Sequence, residues 1–83
     1  MTWRVEISNT AAKQVQRLDK GTQGRIRQFL RMRIATDEDP RRIGHALQGP
    51  YQGLWRYRVG DYRLICRIQD DRLVVLVVTV GHR

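Results

Sequence analysis

Arg56, Arg58, Arg63 and Arg67 all fall within one stretch, LWRYRVGDYRLICRI, residues 54–68. A guanidinium is a planar fork of donors that matches phosphate oxygens and stacks on flat rings. Several of them on one surface suit a partner that presents phosphate or another anion.

The same stretch reads as a hairpin. Gly60-Asp61 is a two-residue turn with glycine first, which suits type II′. That turn sets Val59 opposite Tyr62, Arg58 opposite Arg63, Tyr57 opposite Leu64 and Arg56 opposite Ile65. Strand faces alternate, so Trp55, Tyr57, Val59, Tyr62, Leu64, Cys66 and Ile68 form the core face. Arg56, Arg58, Arg63, Ile65 and Arg67 form the other. Like charges directly opposite each other destabilise a sheet. No acidic residue lies on this face within the strands, since Asp61 is at the turn tip. The pattern predicts an anionic occupant; a merely solvated face is the alternative.

Other elements must hold this hairpin. WRVEIS (residues 3–8) alternates as a half-buried strand does, and Ser8, Asn9 and Thr10 supply helix N-caps. A helix is predicted over residues 11–19 with Ala11, Val15 and Leu18 on one face, broken at Gly21. A second is predicted over residues 22–35, with Ile26, Phe29, Leu30 and Ile34 inward and Arg25, Arg27, Arg31 and Arg33 outward. Residues 36–53 are rich in Pro, Gly and Asp and read as a long loop. Strands follow over about residues 54–59, 62–69 and 72–80. The order β-α-α-β-β-β predicts an α+β fold: one mostly antiparallel four-stranded sheet, its last three strands an antiparallel meander, with a helical hairpin on one face.

A second two-residue turn, Asp70-Asp71, would put Leu73, Val75, Val77 and Thr79 on the core face and Val74, Leu76, Val78 and Val80 on the arginine face. A strand apolar on both sides is usually covered on both. The cover would be a further C-terminal segment, a partner protein or the long stems of the arginines themselves.

Composition narrows the partners. The 83 residues suffice for a single domain, 1–83. Sixteen basic residues stand against eight acidic ones, a net charge of +8, and all but Lys13 and Lys20 of the basic ones are arginine. This favours a polyanion, with nucleic acid first. Arg25, Arg31, Arg33 and Arg67 are candidate RNA contacts of the salt-sensitive, sequence-blind kind. One cysteine, Cys66, excludes an internal disulfide and a cysteine metal site. His45 and His82 lack a carboxylate pattern and give no metal signature; no cofactor is expected. His82 is a candidate proton-transfer group beside Arg83, set against a plain solvated turn. His45 reads as a loop residue rather than a catalytic group, Tyr51 as a loop aromatic that could reach solvent or RNA, and Trp55 and Tyr57 as core rather than base-stacking platforms. Gly44, Gly49 and Gly53 do not form a phosphate loop. The N-terminus has no signal-peptide core, and the apolar run LVVLVVTV is too short to span a membrane. A cytoplasmic protein is expected.

The segment ALQGPYQGLWRYRVGDYRLICRIQDDRLVVLVVTVGHR resembles the RelE/ParE superfamily of toxins from type II toxin–antitoxin pairs. L-x-G before the hairpin and the closing VGHR carry the likeness, and GDYRLIC resembles the RelE branch more than the gyrase-poisoning ParE branch. The resemblance implies a metal-independent endoribonuclease that enters the ribosomal 30S A site and cuts messenger RNA. The ribose 2′-hydroxyl attacks the adjacent phosphate, leaving a 2′,3′-cyclic phosphate and a 5′-hydroxyl. It places catalytic basic residues at Arg56, Arg58, Arg63 and Arg83, and it implies a cognate antitoxin that packs over Val74, Leu76 and Val78. RelE toxins continue past this arginine into a tyrosine-bearing segment, whereas the sequence ends at Arg83; a shortened form, or one that dispenses with that segment, is expected. Three functions stay open: a ribosome-dependent messenger nuclease, a ParE-like gyrase inhibitor, and a form that binds antitoxin and RNA without cutting.

Overall fold

The computed structural model describes residues 1–82. Ser8 is extended, and its hydroxyl accepts from the Ala11 amide at 3.0 Å, which opens α1 (Asn9–Gln16). Asp19 accepts from the Thr22 amide at 3.0 Å and the Thr22 hydroxyl at 2.6 Å, opening α2 (Lys20–Phe29). The predicted break at Gly21 thus lies inside the first turn of α2, because Asp19 supplies the cap two residues earlier. Those bonds from Thr22 hold the Asp19 carboxyl below its ordinary value. A π-helical segment, Leu30–Ile34, extends α2 and keeps Leu30 and Ile34 buried. The Trp3 amide then donates to the Thr36 carbonyl at 2.8 Å, tying the helix end to the first strand.

The strands are β1 (Arg4–Ile7), β2 (His45–Ala46), β3 (Leu54–Val59), β4 (Tyr62–Gln69) and β5 (Val74–His82), in the sheet order β1-β5-β4-β3-β2. β1 runs parallel to β5 and the other pairs are antiparallel. The fold is α+β as expected, with five strands instead of four. The added strand β2 lies within the predicted loop; two residues are too few to show alternation in sequence. It pairs with β3, and the Leu47 amide donates to Leu54 at 2.9 Å beside it. Both helices pack on one side of the sheet, around Ala11, Ile26, Leu30, Ile34, Tyr57 and Leu64. No helix among the described residues is long and apolar enough to cross a membrane.

The β3–β4 register is the predicted one at every pair, from Val59–Tyr62 to Arg56–Ile65. Gly60 takes φ of 58° at the first turn position, as that turn requires. The β4–β5 register differs in two ways. The turn spans residues 70–73, with Leu73 at φ 51°, so Gln69 pairs with Val74 and Ile68 with Val75. A shift of two residues preserves the faces, and Val75 and Val77 are buried in the core as predicted. A β-bulge between Ile65 and Cys66 then changes them: Cys66 pairs with Val77 but Ile65 pairs with Thr79. Val78 is the extra residue. Beyond it Val80 turns into the core opposite Leu64, and Thr79 joins the arginine face opposite Ile65, reversing the predicted places of both.

The bulge is held by α1. The Ser8 hydroxyl donates to the Val78 carbonyl at 2.7 Å, and the Gln14 side chain accepts from the Val80 amide at 2.6 Å. Backbone groups that a disrupted ladder would leave unpaired are thereby satisfied.

Candidate functional site

The sheet face away from the helices carries Arg56, Arg58, Arg63 and Arg67. Arg58 and Arg63 are direct cross-strand partners, Arg56 is opposite Ile65, and Arg67 is opposite Leu54. Arg58 and Arg67 are exposed, while Arg56 and Arg63 are half-buried. None of these four forms an ion pair with a carboxylate among the described residues. The Nε of Arg63 is buried and has no hydrogen-bond acceptor among them. A buried donor without an acceptor is uncommon in a folded protein.

Arg56 and Arg63 share a cavity of about 370 Å³. Its sheet side is Leu54, Ile65 and Thr79; its loop side is Leu47 and Tyr51. Gly81 is the cross-strand partner of Arg63, and a Cβ built on it would meet nothing within 4 Å. Space beside Arg63 is therefore open. The bulge produces this, since an unbroken ladder would set Val80 there.

The structure divides the remaining predicted residues. Arg25 on α2 reaches the β3–β4 turn, where a Cβ at Gly60 would lie 3.5 Å from its guanidinium. Arg31 lines a different cavity, of about 540 Å³, with Trp3, Val5 and Arg27 between β1 and the helix layer. Arg33 is exposed on the π-helical segment. Neither Arg31 nor Arg33 joins the arginine face. Val74 is fully buried and offers no surface to a partner. Arg72 donates to Gln69 on β4 at 2.8 Å and to Glu6 on β1 at 3.0 Å, spanning β5 between them. Leu76 and Val78 keep partial exposure. Arg83 lies outside the described residues.

His82 pairs with Tyr62, and the two rings meet edge to face at 4.9 Å between centroids. Tyr62 packs against the core, so His82 stands on the helix side and not among the arginines. His45, read from sequence as a loop residue, is instead the cross-strand partner of Arg56. It is exposed, and its face is the arginine face. Tyr51 is 62% exposed and lines the Arg56–Arg63 cavity. Neither residue could be placed on the arginine face from sequence, because strand β2 and the turn beyond it leave no periodic signal. Histidine is a side chain able to serve in proton transfer, and His45 lies on the same face as the arginines. Cys66 is buried in the core, and burial pushes its thiol up to about 12, so it is an inert packing residue.

The loop carrying His45 and Tyr51 is anchored from below. Arg41 forms a bidentate pair with Asp70, at 3.0 and 2.6 Å, and lies over the Trp55 ring. This pairing raises the Arg41 pKa and holds the Asp70 carboxyl below its ordinary value. The buried Tyr57 hydroxyl donates to the Pro40 carbonyl at 2.7 Å. Burial raises the Tyr57 pKa, so the hydroxyl keeps its proton and serves as a structural tie.

Comparison with known proteins identifies the class: a small toxin of the RelE/ParE type. Residues 5–83 match the family described as ParE toxin of type II toxin-antitoxin system, parDE. The chain belongs to this superfamily of toxins. It is 28% identical over 83 residues to Toxin RelG of Mycobacterium tuberculosis, covering 100% of the chain and 93% of that protein. It is 30% identical over 81 residues to Toxin RelE of the same organism, covering 98% of the chain and 81% of that protein. Among solved structures, the toxin–antitoxin complex RelBE2 of M. tuberculosis superposes with a TM-score of 0.91 at 26% identity, covering 100% of this chain and 93% of the other. The archaeal RelE–RelB complex from Pyrococcus horikoshii gives 0.77 at 29% identity, covering 100% and 97%.

Proposed function

We propose that this protein is a ribosome-dependent endoribonuclease that cuts messenger RNA in the 30S A site and is neutralised by a cognate antitoxin. The observation that carries the reading is the face of unpaired arginines, with Arg56 and Arg63 on one cavity and His45 opposite Arg56. The ribose 2′-oxygen attacks the adjacent phosphorus as the bond from phosphorus to the 5′-oxygen breaks. The products are a 2′,3′-cyclic phosphate and a 5′-hydroxyl. Arg56, Arg58 and Arg63 bind the non-bridging oxygens and stabilise the added charge in the transition state. His45 takes the proton of the 2′-hydroxyl or returns one to the 5′-oxygen. Arg83 is assigned to the same phosphate by the family resemblance. Arg25 and Arg67 add backbone contacts to RNA around this centre, and Arg31 and Arg33 do so from the helix side.

The antitoxin reading rests on the relatives, whose solved forms are toxin–antitoxin complexes. An antitoxin segment would cover Leu76 and Val78 and bring carboxylates to the arginines. Neutralising that charge would block RNA by the contacts that bind it.

The match to the ParE toxin family favours one second reading, a gyrase-directed toxin whose arginine face serves the antitoxin. Cleavage on programmed ribosomes, mapped to the A-site codon, tests the first against it. A cut with a 2′,3′-cyclic end establishes the nuclease. Intact messenger together with blocked DNA supercoiling by gyrase establishes the alternative.

A further inference from the structure

The cavity holding Arg56 and Arg63 has an aromatic member that lies outside the hydrophobic core. Tyr57, the buried tyrosine of the sheet, is 1% exposed and hydrogen-bonded to Pro40. Tyr51 is 62% exposed and lines the cavity with both arginines. Its position is fixed by a tight turn. The Tyr51 amide donates to Gln48 at 3.3 Å and the Gln52 amide to Gly49 at 3.1 Å. Gly49 at φ 65° and Gly53 at φ 99° bend the chain on either side, where other residues would be strained. Pro50 fixes its own φ within the turn. The ring is therefore carried out on a hydrogen-bonded turn of defined geometry.

A flat exposed ring beside two phosphate-seeking cations is the arrangement by which proteins hold unpaired nucleotides: phosphate on arginine, base on the aromatic face. A cavity of about 370 Å³ also lies at the small end of ligand sites, which run from about 300 Å³. We propose that Tyr51 is a stacking platform for the base next to the phosphate held by Arg56 and Arg63. The ligand is then one unpaired nucleotide of single-stranded RNA, bound without choice among bases. This inference rests on the reading of the arginine face as an RNA site and adds a residue to it.

The test uses a short single-stranded oligoribonucleotide with 2′-O-methyl groups, which cannot be cut by 2′-oxygen attack. It is titrated into the isotopically labelled chain while the Tyr51 ring resonances are followed by NMR. The ring signals are expected to shift on saturation. Tyr51→Ala is expected to weaken binding about 5- to 150-fold, the span that loss of one base–aromatic stack produces. Tyr51→Phe keeps the ring and is expected to bind within about twofold of the parent, which rules out a role for the hydroxyl. Absence of binding by the parent, or unaltered binding by Tyr51→Ala, overturns the platform. If the oligonucleotide binds through Tyr51 but ribosomes carry uncut messenger, the cleavage reading fails and the platform stands. If messenger is cut and Tyr51→Ala leaves its KM unchanged, the platform fails and the cleavage reading stands.

Discussion

Two sets of arginines occupy this molecule under opposite electrostatic rules. Arg41, Arg42 and Arg72 are each paired with a carboxylate, on Asp39 and Asp70, on Glu38 and on Glu6 respectively. They fasten the long loop, its start, and the β4–β5 turn to their neighbours. Arg56, Arg58, Arg63 and Arg67 are crowded on one sheet face and pair with no carboxylate among the described residues. Exposed arginines on α2 are also unpaired, but they project from an open helix surface where water screens them. On the sheet, Arg58 and Arg63 are direct neighbours at a cross-strand spacing of about 5 Å. The first set is matched internally; the second is crowded on one face without a counter-charge, an arrangement that costs a sheet stability.

This contrast can be broken most forcefully at Arg63. Arg63→Ala is expected to lower A-site cleavage about 10²- to 10³-fold, without lowering the thermal unfolding midpoint, because it relieves the like-charge contact with Arg58. His45→Ala is expected to cost a comparable 10²- to 10⁴-fold in cleavage if His45 carries the proton; a loss under about tenfold would remove it from that role.

A third change sharpens the contrast by filling space. Gly81→Leu meets no atom within 4 Å at its Cβ, so folding should tolerate it. Its side chain would occupy the space beside Arg63 and is expected to reduce cleavage while circular dichroism and unfolding stay unchanged. At Gly44 the reverse holds. A Cβ there would lie 2.9 Å from the Tyr57 ring, so Gly44→Ala is expected to destabilise by about 1–3 kcal/mol in denaturant unfolding.

The smallest effect belongs to the paired set. The Asp70 carboxyl is held below its ordinary 3.8 by the hydrogen bond from Arg41. A carboxylate whose folded pKa is depressed contributes stability above the unfolded value and loses it as pH falls through the folded one. The Arg41–Asp70 contribution is thus present at neutral pH and disappears below about pH 4. Asp70→Asn is expected to flatten the acid limb of a plot of unfolding temperature against pH and to leave the neutral side only slightly lower.

The sequence was most informative where turn chemistry and alternation agreed. Gly60-Asp61 and the alternating hairpin fixed the β3–β4 register pair by pair, and with it the arginine face. The helices were legible from their caps and apolar spacing, with Asp19 the one cap missed because Gly21 looked like the break. What stayed hidden depended on contacts distant in the chain. The bulge at Val78 is stabilised by Ser8 and Gln14 on α1, and no local pattern around Val78 announces it. Yet it exchanges Thr79 with Val80 and sets Gly81 beside Arg63. His45 and Tyr51 were obscured for a similar reason: a two-residue strand and a single turn gain their meaning only when β3 lies beside them. Val74 illustrates the cost of reading faces alone, since it was placed on an open face and is fully buried within the chain.

The most direct test compares the two sets of arginines in one experiment: single-turnover messenger cleavage on programmed ribosomes by the parent, Arg63→Ala and Arg72→Ala, each with its unfolding midpoint measured. Arg72→Ala is expected to unfold slightly more easily, by up to about 1 kcal/mol for an exposed pair, and to cut the A-site codon at the parent's rate. Arg63→Ala is expected to be as stable as the parent and to cut at least about 10²-fold more slowly. Equal cleavage by Arg63→Ala and the parent would contradict the claim that the unpaired arginines form the site.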